Sequence, residues 1–199
     1  MQRKNQELIY QFYIELQVSQ PLVWRRIVIP ENHTMYDLHM AIQGAFGWEN
    51  SHLFQFSENG LEDKTCYGMP YEGIDPEMVT IDARKIKINK VLKKDRQEYV
   101  YVCDFGDHWQ HKIKLEKFLD KDNRVLSAFC IEGGGACPPE DVGGIHGYKE
   151  MLEVFKTPHH PEKASYIEWL GLVSGEKWNP ELCSIREANK RLAMLVSEM

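Results

Sequence analysis

No run of about 18 consecutive apolar residues occurs in this chain, the length at which a stretch reads as a membrane-spanning helix. The first residues, Met1-Gln2-Arg3-Lys4-Asn5-Gln6-Glu7, lack the apolar core and small-residue cleavage site of an export signal. A cytoplasmic protein without membrane attachment is therefore expected. Cysteine is sparse: Cys66, Cys103, Cys130, Cys137 and Cys183 are odd in number, widely spaced and form no Cys-x-x-Cys pair. That pattern argues against a disulfide scaffold and predicts reduced thiols that mainly pack. It also leaves no metal site assignable from cysteine spacing. Positive charge is short too. Twenty-four Lys and Arg against 30 Asp and Glu give a net charge of −6. Nucleic-acid binding rests on neutralising phosphates, so a protein or small-ligand partner is favoured over nucleic acid.

Complete catalytic motifs are missing as well. There is no His-Glu-x-x-His, no Gly-x-Ser-x-Gly and no Gly-Lys-Ser/Thr after the glycine run, nor a Gly-x-Gly-x-x-Gly opening a helix. Asp104-Phe105-Gly106 spells a kinase tripeptide, but the other kinase segments are absent. No cofactor is evident.

What is present is a globular composition: 199 residues, 43% hydrophobic and 27% charged. This suits one domain over 1–199, strand-rich over 7–120, a Gly/Pro loop over 130–147 and helical over 148–199. Leu8, Tyr10, Phe12, Ile14, Leu16 and Val18 alternate with polar residues and predict a half-buried strand. Leu22 to Ile29 predicts a second strand, antiparallel to the first and ended by Pro30. Thr34 and Asp37 form a capping-box pattern ahead of the stripe Met35, Leu38, Ile42, Ala45 and Phe46, with Gly47 as the stop. His52 to Ser57 reads as a short strand, 58–80 as a long loop containing Gly60, Gly68, Pro70, Gly73 and Pro76, and Ile81 to Leu92 as containing a strand. Glu98 to Asp104 and His108 to Leu119 predict a hairpin, with Gly106 supplying positive φ in its turn. Cys130 to Gly144 is too rich in Gly and Pro for regular structure. Helices are expected over Tyr148 to Phe155, Glu162 to Leu170, and after Ser184, whose pairing with Glu187 again suggests a capping box. The last has the face Ile185, Ala188, Leu192, Leu195 and Val196. The fold class is α+β: an N-terminal β-β-α-β unit and a β-hairpin in a mostly antiparallel sheet, followed by a helical C-terminal third.

Chemistry concentrates in two places. Asp104 and Asp107 bracket the hairpin turn, with His111 on the return strand, and Glu140 and Asp141 sit on the rigid Pro138-Pro139 segment. Carboxylates with one histidine suit Mg²⁺ or Mn²⁺. Arg25, Arg26, His39 and His52 are candidate ligand- or anion-binding residues, and Arg25 and Arg26 must point to opposite faces of their strand. Seven basic residues between Arg84 and Arg96 form the densest positive patch, which reads first as a solvated face.

Pro21-Leu-Val-Trp-Arg-Arg26, Leu38-His-Met-Ala-Ile-Gln-Gly-Ala-Phe-Gly-Trp48 with His52-Leu53 and Phe56, Asp104-Phe-Gly-Asp-His-Trp-Gln-His111, Pro138-Pro-Glu-Asp-Val-Gly-Gly144 with Gly147-Tyr148, and Trp169-Leu-Gly171 occur in that order. Together they resemble the plasmid pRiA4b ORF-3-like family over nearly the whole chain. The family pattern has Asp where His108 stands and Tyr where Cys103 stands. The resemblance implies a mobile-element passenger protein, sometimes given a resolvase-like name. The residues do not support recombinase chemistry: there is no Arg-Val-Ser near the N-terminus, and none of the eight histidines has Arg three positions on.

Three functional readings follow. The first is a non-enzymatic binding or adaptor domain. The second is a metal-dependent hydrolase or nuclease, which requires Asp104, Asp107, His111 and Glu140 to converge in one cavity, with Arg25 or Arg26 holding a phosphate. The third is a DNA-transaction accessory using the Arg84 to Arg96 patch.

Overall fold

A computed structural model describes residues 7–17, 19–71, 77–120, 122, 125–173 and 178–197. The N-terminal alternation folds as β1 (Leu8–Leu16), in which Tyr10, Phe12, Ile14 and Leu16 are all buried. Val18, the last member of the predicted face, lies outside the described residues, as do Gly73 and Pro76. β2 (Trp24–Pro30) returns antiparallel to β1.

α1 (Met35–Phe46) begins and ends where the sequence signals say it should. Thr34 Oγ1 accepts from the Asp37 amide, the Asp37 carboxylate accepts from the Thr34 amide, and Gly47 takes the left-handed conformation with φ 105°. Its apolar stripe lies on the sheet. Four further strands follow: β3 (Phe54–Ser57), β4 (Thr65–Gly68), β5 (Val79–Asp82) and, after the single turn α2 (Ile88–Val91), β6 (Glu98–Cys103). β7 (Trp109–Asp120) and β8 (Phe129–Gly134) complete a sheet of order β5-β4-β3-β6-β7-β1-β2-β8. Every neighbouring pair is antiparallel except β4 with β5. The chain ends in α3 (Gly144–Lys156), α4 (Lys163–Trp169) and α5 (Ile185–Ser197). The architecture is mixed α+β with the helices toward the C-terminus. No helix of the described residues is long and apolar enough to cross a membrane.

Three local readings need correction. The 58–80 segment holds β4, which is short enough to be hidden among turn formers. The glycine run is not wholly irregular: its first part is β8, paired to β2. Glycine is required there because a Cβ on Gly133 would stand 2.9 Å from Arg25 Cδ and one on Gly134 2.7 Å from Trp24 Nε1. In the β6–β7 turn, positive φ falls on Asp104 (57°) and His108 (58°), not on Gly106. Asp104 compensates locally, since its Oδ1 accepts from the amides of Gly106 (2.9 Å) and Asp107 (3.1 Å).

The core lies between the sheet and α1, with α3 and α5 closing its edges. Phe12, Ile14, Ile27, Ile29, Leu38, Ile42, Phe56, Tyr101 and Leu115 are inaccessible to solvent, and Tyr148, Met151 and Leu192 join them from the C-terminal helices. α5 is tied to the sheet edge by a side chain that imitates a strand: Asn189 accepts from the Cys130 amide and donates to its carbonyl, both at 2.8 Å.

Candidate functional site

Three loops meet at one end of the sheet. The 47–53 loop leaves α1, the 104–108 turn joins β6 to β7, and the 135–143 segment joins β8 to α3. Their meeting is fixed by specific ties. Trp48 Nε1 donates to the Pro138 carbonyl at 3.0 Å, and the Glu49 amide donates to Glu140 Oε1 at 3.0 Å. The Asp104 amide donates to the Leu53 carbonyl at 3.0 Å. The Gly143 amide donates to Asp107 Oδ2 at 3.2 Å, and Gly144 passes so close that a Cβ would lie 2.7 Å from the Asp107 carbonyl oxygen.

These ties bring His52 between two carboxylates. Its Nδ1 lies 3.5 Å from Asp104 Oδ2 and its Nε2 lies 3.3 Å from Asp141 Oδ1. One ligand atom from each of the three residues falls within 4.8 Å of the others. Nε2 of His52 is buried yet has no partner in hydrogen-bond geometry, despite its nearness to Asp141. Both aspartates hold left-handed backbone, with φ 57° and 59°. That conformation costs an L-residue roughly 1–2 kcal/mol, less for Asp than for most. An imidazole nitrogen and two carboxylate oxygens, with an unsatisfied nitrogen among them, are donor types that divalent cations accept.

The structure divides the sequence-derived candidates. Asp104 and Asp141 come together. Asp107 and Glu140 stand beside them, but each holds a backbone amide of a neighbouring loop. His111 is elsewhere. It is wholly buried under α1, edge-on to Phe46 and Trp48 with ring centroids 4.9 and 5.2 Å away, and its Nδ1 donates to the Trp109 carbonyl at 3.1 Å. Its Nε2, toward the Tyr101 backbone, makes no hydrogen bond of good geometry. Burial holds its pKa down at about 3. The expected set Asp104, Asp107, His111 and Glu140 therefore does not share one cavity; His52 takes the place assigned to His111.

His39 is also inside. Its ring stacks on Phe54 at 3.6 Å, its Nε2 donates to Asn50 Oδ1 at 2.6 Å, and its Nδ1 accepts from the Tyr101 hydroxyl at 2.9 Å. Gln43 completes the network by donating to that hydroxyl and accepting from the Asn50 amide. Asn50 Oδ1 can only accept, so it fixes the tautomer, and burial lowers the His39 pKa to about 4. The network braces the loop that carries His52.

Arg25 and Arg26 point to opposite faces, as strand geometry requires. Arg26 forms a two-pronged pair with Glu116 at 2.7 and 2.9 Å, contacts Glu132, and lies over the rings of Tyr13 and Trp24. Arg25 is buried among carbonyl oxygens. The seven basic residues of the Arg84 to Arg96 patch are all exposed, and Arg84 pairs with Asp82 at 2.9 Å. The buried thiols offer no ready nucleophile: burial pushes Cys130 up to about 11 and raises Cys103 and Cys137.

The spacing of residues 52, 104 and 141 carries no motif that would link them. The sequence marked them separately: Asp104 by its turn, Asp141 by the Pro-Pro segment, and His52 as a polar residue at the start of an expected strand. Comparison with known proteins agrees with the motif order. The sequence profile described as plasmid pRiA4b ORF-3-like protein matches residues 8–187. The chain is 36% identical over 161 residues to the uncharacterized protein y4hQ of Sinorhizobium fredii, covering 79% of this chain and 78% of that one. It also resembles the crystal structure of a protein of unknown function, MM3350, from Methanosarcina mazei Go1. There the TM-score is 0.76 at 33% identity, covering 92% of this chain and 98% of that chain. With its motifs, its fold and these relatives in agreement, this chain belongs to the plasmid pRiA4b ORF-3-like family, whose matched relatives here are themselves uncharacterized.

Proposed function

We propose that this chain is a binding domain that takes a divalent cation at His52, Asp104 and Asp141. The observation that carries the reading is the buried Nε2 of His52, left without a hydrogen bond 3.3 Å from a carboxylate oxygen. A buried polar atom without a partner is costly, and a cation between the imidazole and the carboxylates satisfies all three groups at once. One nitrogen and two oxygens suit Mn²⁺, which accepts carboxylate and imidazole together, better than Ca²⁺. Tag-free protein stripped with chelator is expected to bind one equivalent of Mn²⁺ in calorimetry, with binding lost in His52→Ala and Asp104→Asn. No saturable binding by the unaltered protein, or equal binding by His52→Ala, removes the reading.

A hydrolase reading rests on one further feature of the same cluster. Three protein ligands leave coordination positions for water, the composition of catalytic rather than structural sites. Its test is Mn²⁺-dependent cleavage of bis(p-nitrophenyl) phosphate that disappears in Asp104→Asn. Cation binding without turnover leaves the binding domain as the function.

A further inference from the structure

Ala136 to Pro139 of the 135–143 segment border a cavity of about 280 Å³. Arg25, Arg191, Cys137, Pro138, Ser184 and Glu187 are among the residues that line it. Arg25 is only 3% exposed. Its Nε donates to the Ala45 carbonyl at 2.9 Å, and its Nη1 to those of Trp24, Gly134 and Gly135 at 2.7, 2.9 and 3.1 Å. Among the described residues it has no carboxylate partner, and its Nη2 makes no hydrogen bond. Arg191, half-buried on α5, donates from Nε to the Gly44 carbonyl at 2.8 Å and likewise forms no ion pair among the described residues. The one carboxylate on the lining, Glu187, is paired to Lys190 at 2.9 Å. Burial lowers the Arg191 pKa and the charge of Arg25 lowers it further, while Glu187 on the same lining partly offsets them.

We propose that Arg25 and Arg191 form a binding cavity for a phosphate group. A buried guanidinium ordinarily has an acid beside it, because carbonyl dipoles replace hydration without cancelling charge. Here two guanidiniums face one cavity against the single carboxylate of Glu187, which also serves Lys190, and a bound oxyanion balances the remaining charge. Planar guanidinium forks match phosphate oxygens two at a time. Ser184, whose Oγ accepts from the Glu187 amide at 3.3 Å, places the start of α5 at the same wall. The glycines of β8 are part of the construction: a Cβ on Gly133 would meet Arg25 Cδ and Cys183 Sγ, each at 2.9 Å, and push the arginine from its bed. The site shares no residue with the cation cluster, so each can fail without the other.

The test is calorimetric titration of the full chain, in chloride buffer of constant ionic strength, with inorganic phosphate and separately with O-phosphoserine. Saturable binding of at least one is expected, weakened at least tenfold in Arg191→Gln and unchanged in Lys94→Gln, which removes an exposed cation elsewhere. Tighter binding of inorganic phosphate identifies the free ion as the ligand; tighter binding of O-phosphoserine identifies a phosphomonoester. Arg191→Gln avoids the folding risk of altering Arg25. Absence of saturable binding of both probes, or equal loss in Arg191→Gln and Lys94→Gln, overturns the proposal.

Discussion

His52 Nε2 lies 3.3 Å from Asp141 Oδ1 although the two residues are 89 positions apart and neither belongs to a regular element. The contact exists because three connections are tied to one another by the side chains of Trp48, Asp107 and Glu140 and by the Asp104–Leu53 backbone hydrogen bond. Asp141 keeps its side chain 75% exposed, whereas Asp104 is at 13%. Under the proposed reading, a cation meets one carboxylate held by its turn, one half-buried imidazole and one open arm.

Asp107 does not reach the cluster but holds the arm's base, through the Gly143 amide. Removing it is expected to loosen Asp141 without removing a ligand. Asp107→Ala is predicted to weaken Mn²⁺ binding by about 10–100-fold, the usual effect of losing a group that orients a ligand, while His52→Ala abolishes it. Parallel calorimetric titrations separate the two. Equal loss in both variants would show that Asp107 is itself a ligand.

The two buried histidines make stability fall in mild acid. His39 and His111 titrate near 6.5 when unfolded, but burial holds them at about 4 and about 3 in the fold. Between those values the unfolded chain binds more protons than the native one, so stability drops as pH falls through 6.5 and keeps dropping toward 4. Each histidine is expected to remove about 2 kcal/mol between pH 7 and pH 5. His111→Phe, which replaces a ring already enclosed by Phe46 and Trp48, is predicted to change stability at pH 7 by about 1 kcal/mol or less and to exceed the unaltered protein at pH 5. Urea unfolding at the two pH values checks this; parallel pH profiles for the two proteins contradict it.

Asn189 joins α5 to β8 through both hydrogen bonds to Cys130. Asn189→Ala leaves a buried amide and carbonyl unpaired and is predicted to cost about 1–3 kcal/mol. The same variant should raise hydrogen exchange at the Cys130 amide before it affects the Phe12 or Ile14 amides of β1. Unchanged exchange at Cys130 would show that water replaces the side chain at no cost.

How much of this was readable in the sequence depended on whether local rules decide the outcome. α1 was readable at both ends, because Thr34, Asp37 and Gly47 act within one helical turn. β1 was readable because a central strand imposes alternation on Tyr10 through Leu16. β8 was not, because its glycines are there for Arg25 and Trp24 on the neighbouring strand, and no local pattern records that demand. The site divides the same way. Turn chemistry singled out Asp104 and Asp107, and the Pro-Pro segment singled out Glu140 and Asp141. The strand pattern that carries His111 could not say that α1 would cover its face. The partner that does meet the aspartates, His52, arrives through the Trp48 and Leu53 ties, which are tertiary contacts.

Under the proposed reading, His52, Asp104 and Asp141 hold one cation. The most direct test is a crystal structure of the protein grown with Mn²⁺, with anomalous difference density calculated at the manganese edge. One strong peak is expected within about 2.3 Å of an imidazole nitrogen of His52 and of oxygens from Asp104 and Asp141. A peak at other residues, or none at saturating Mn²⁺, would contradict it.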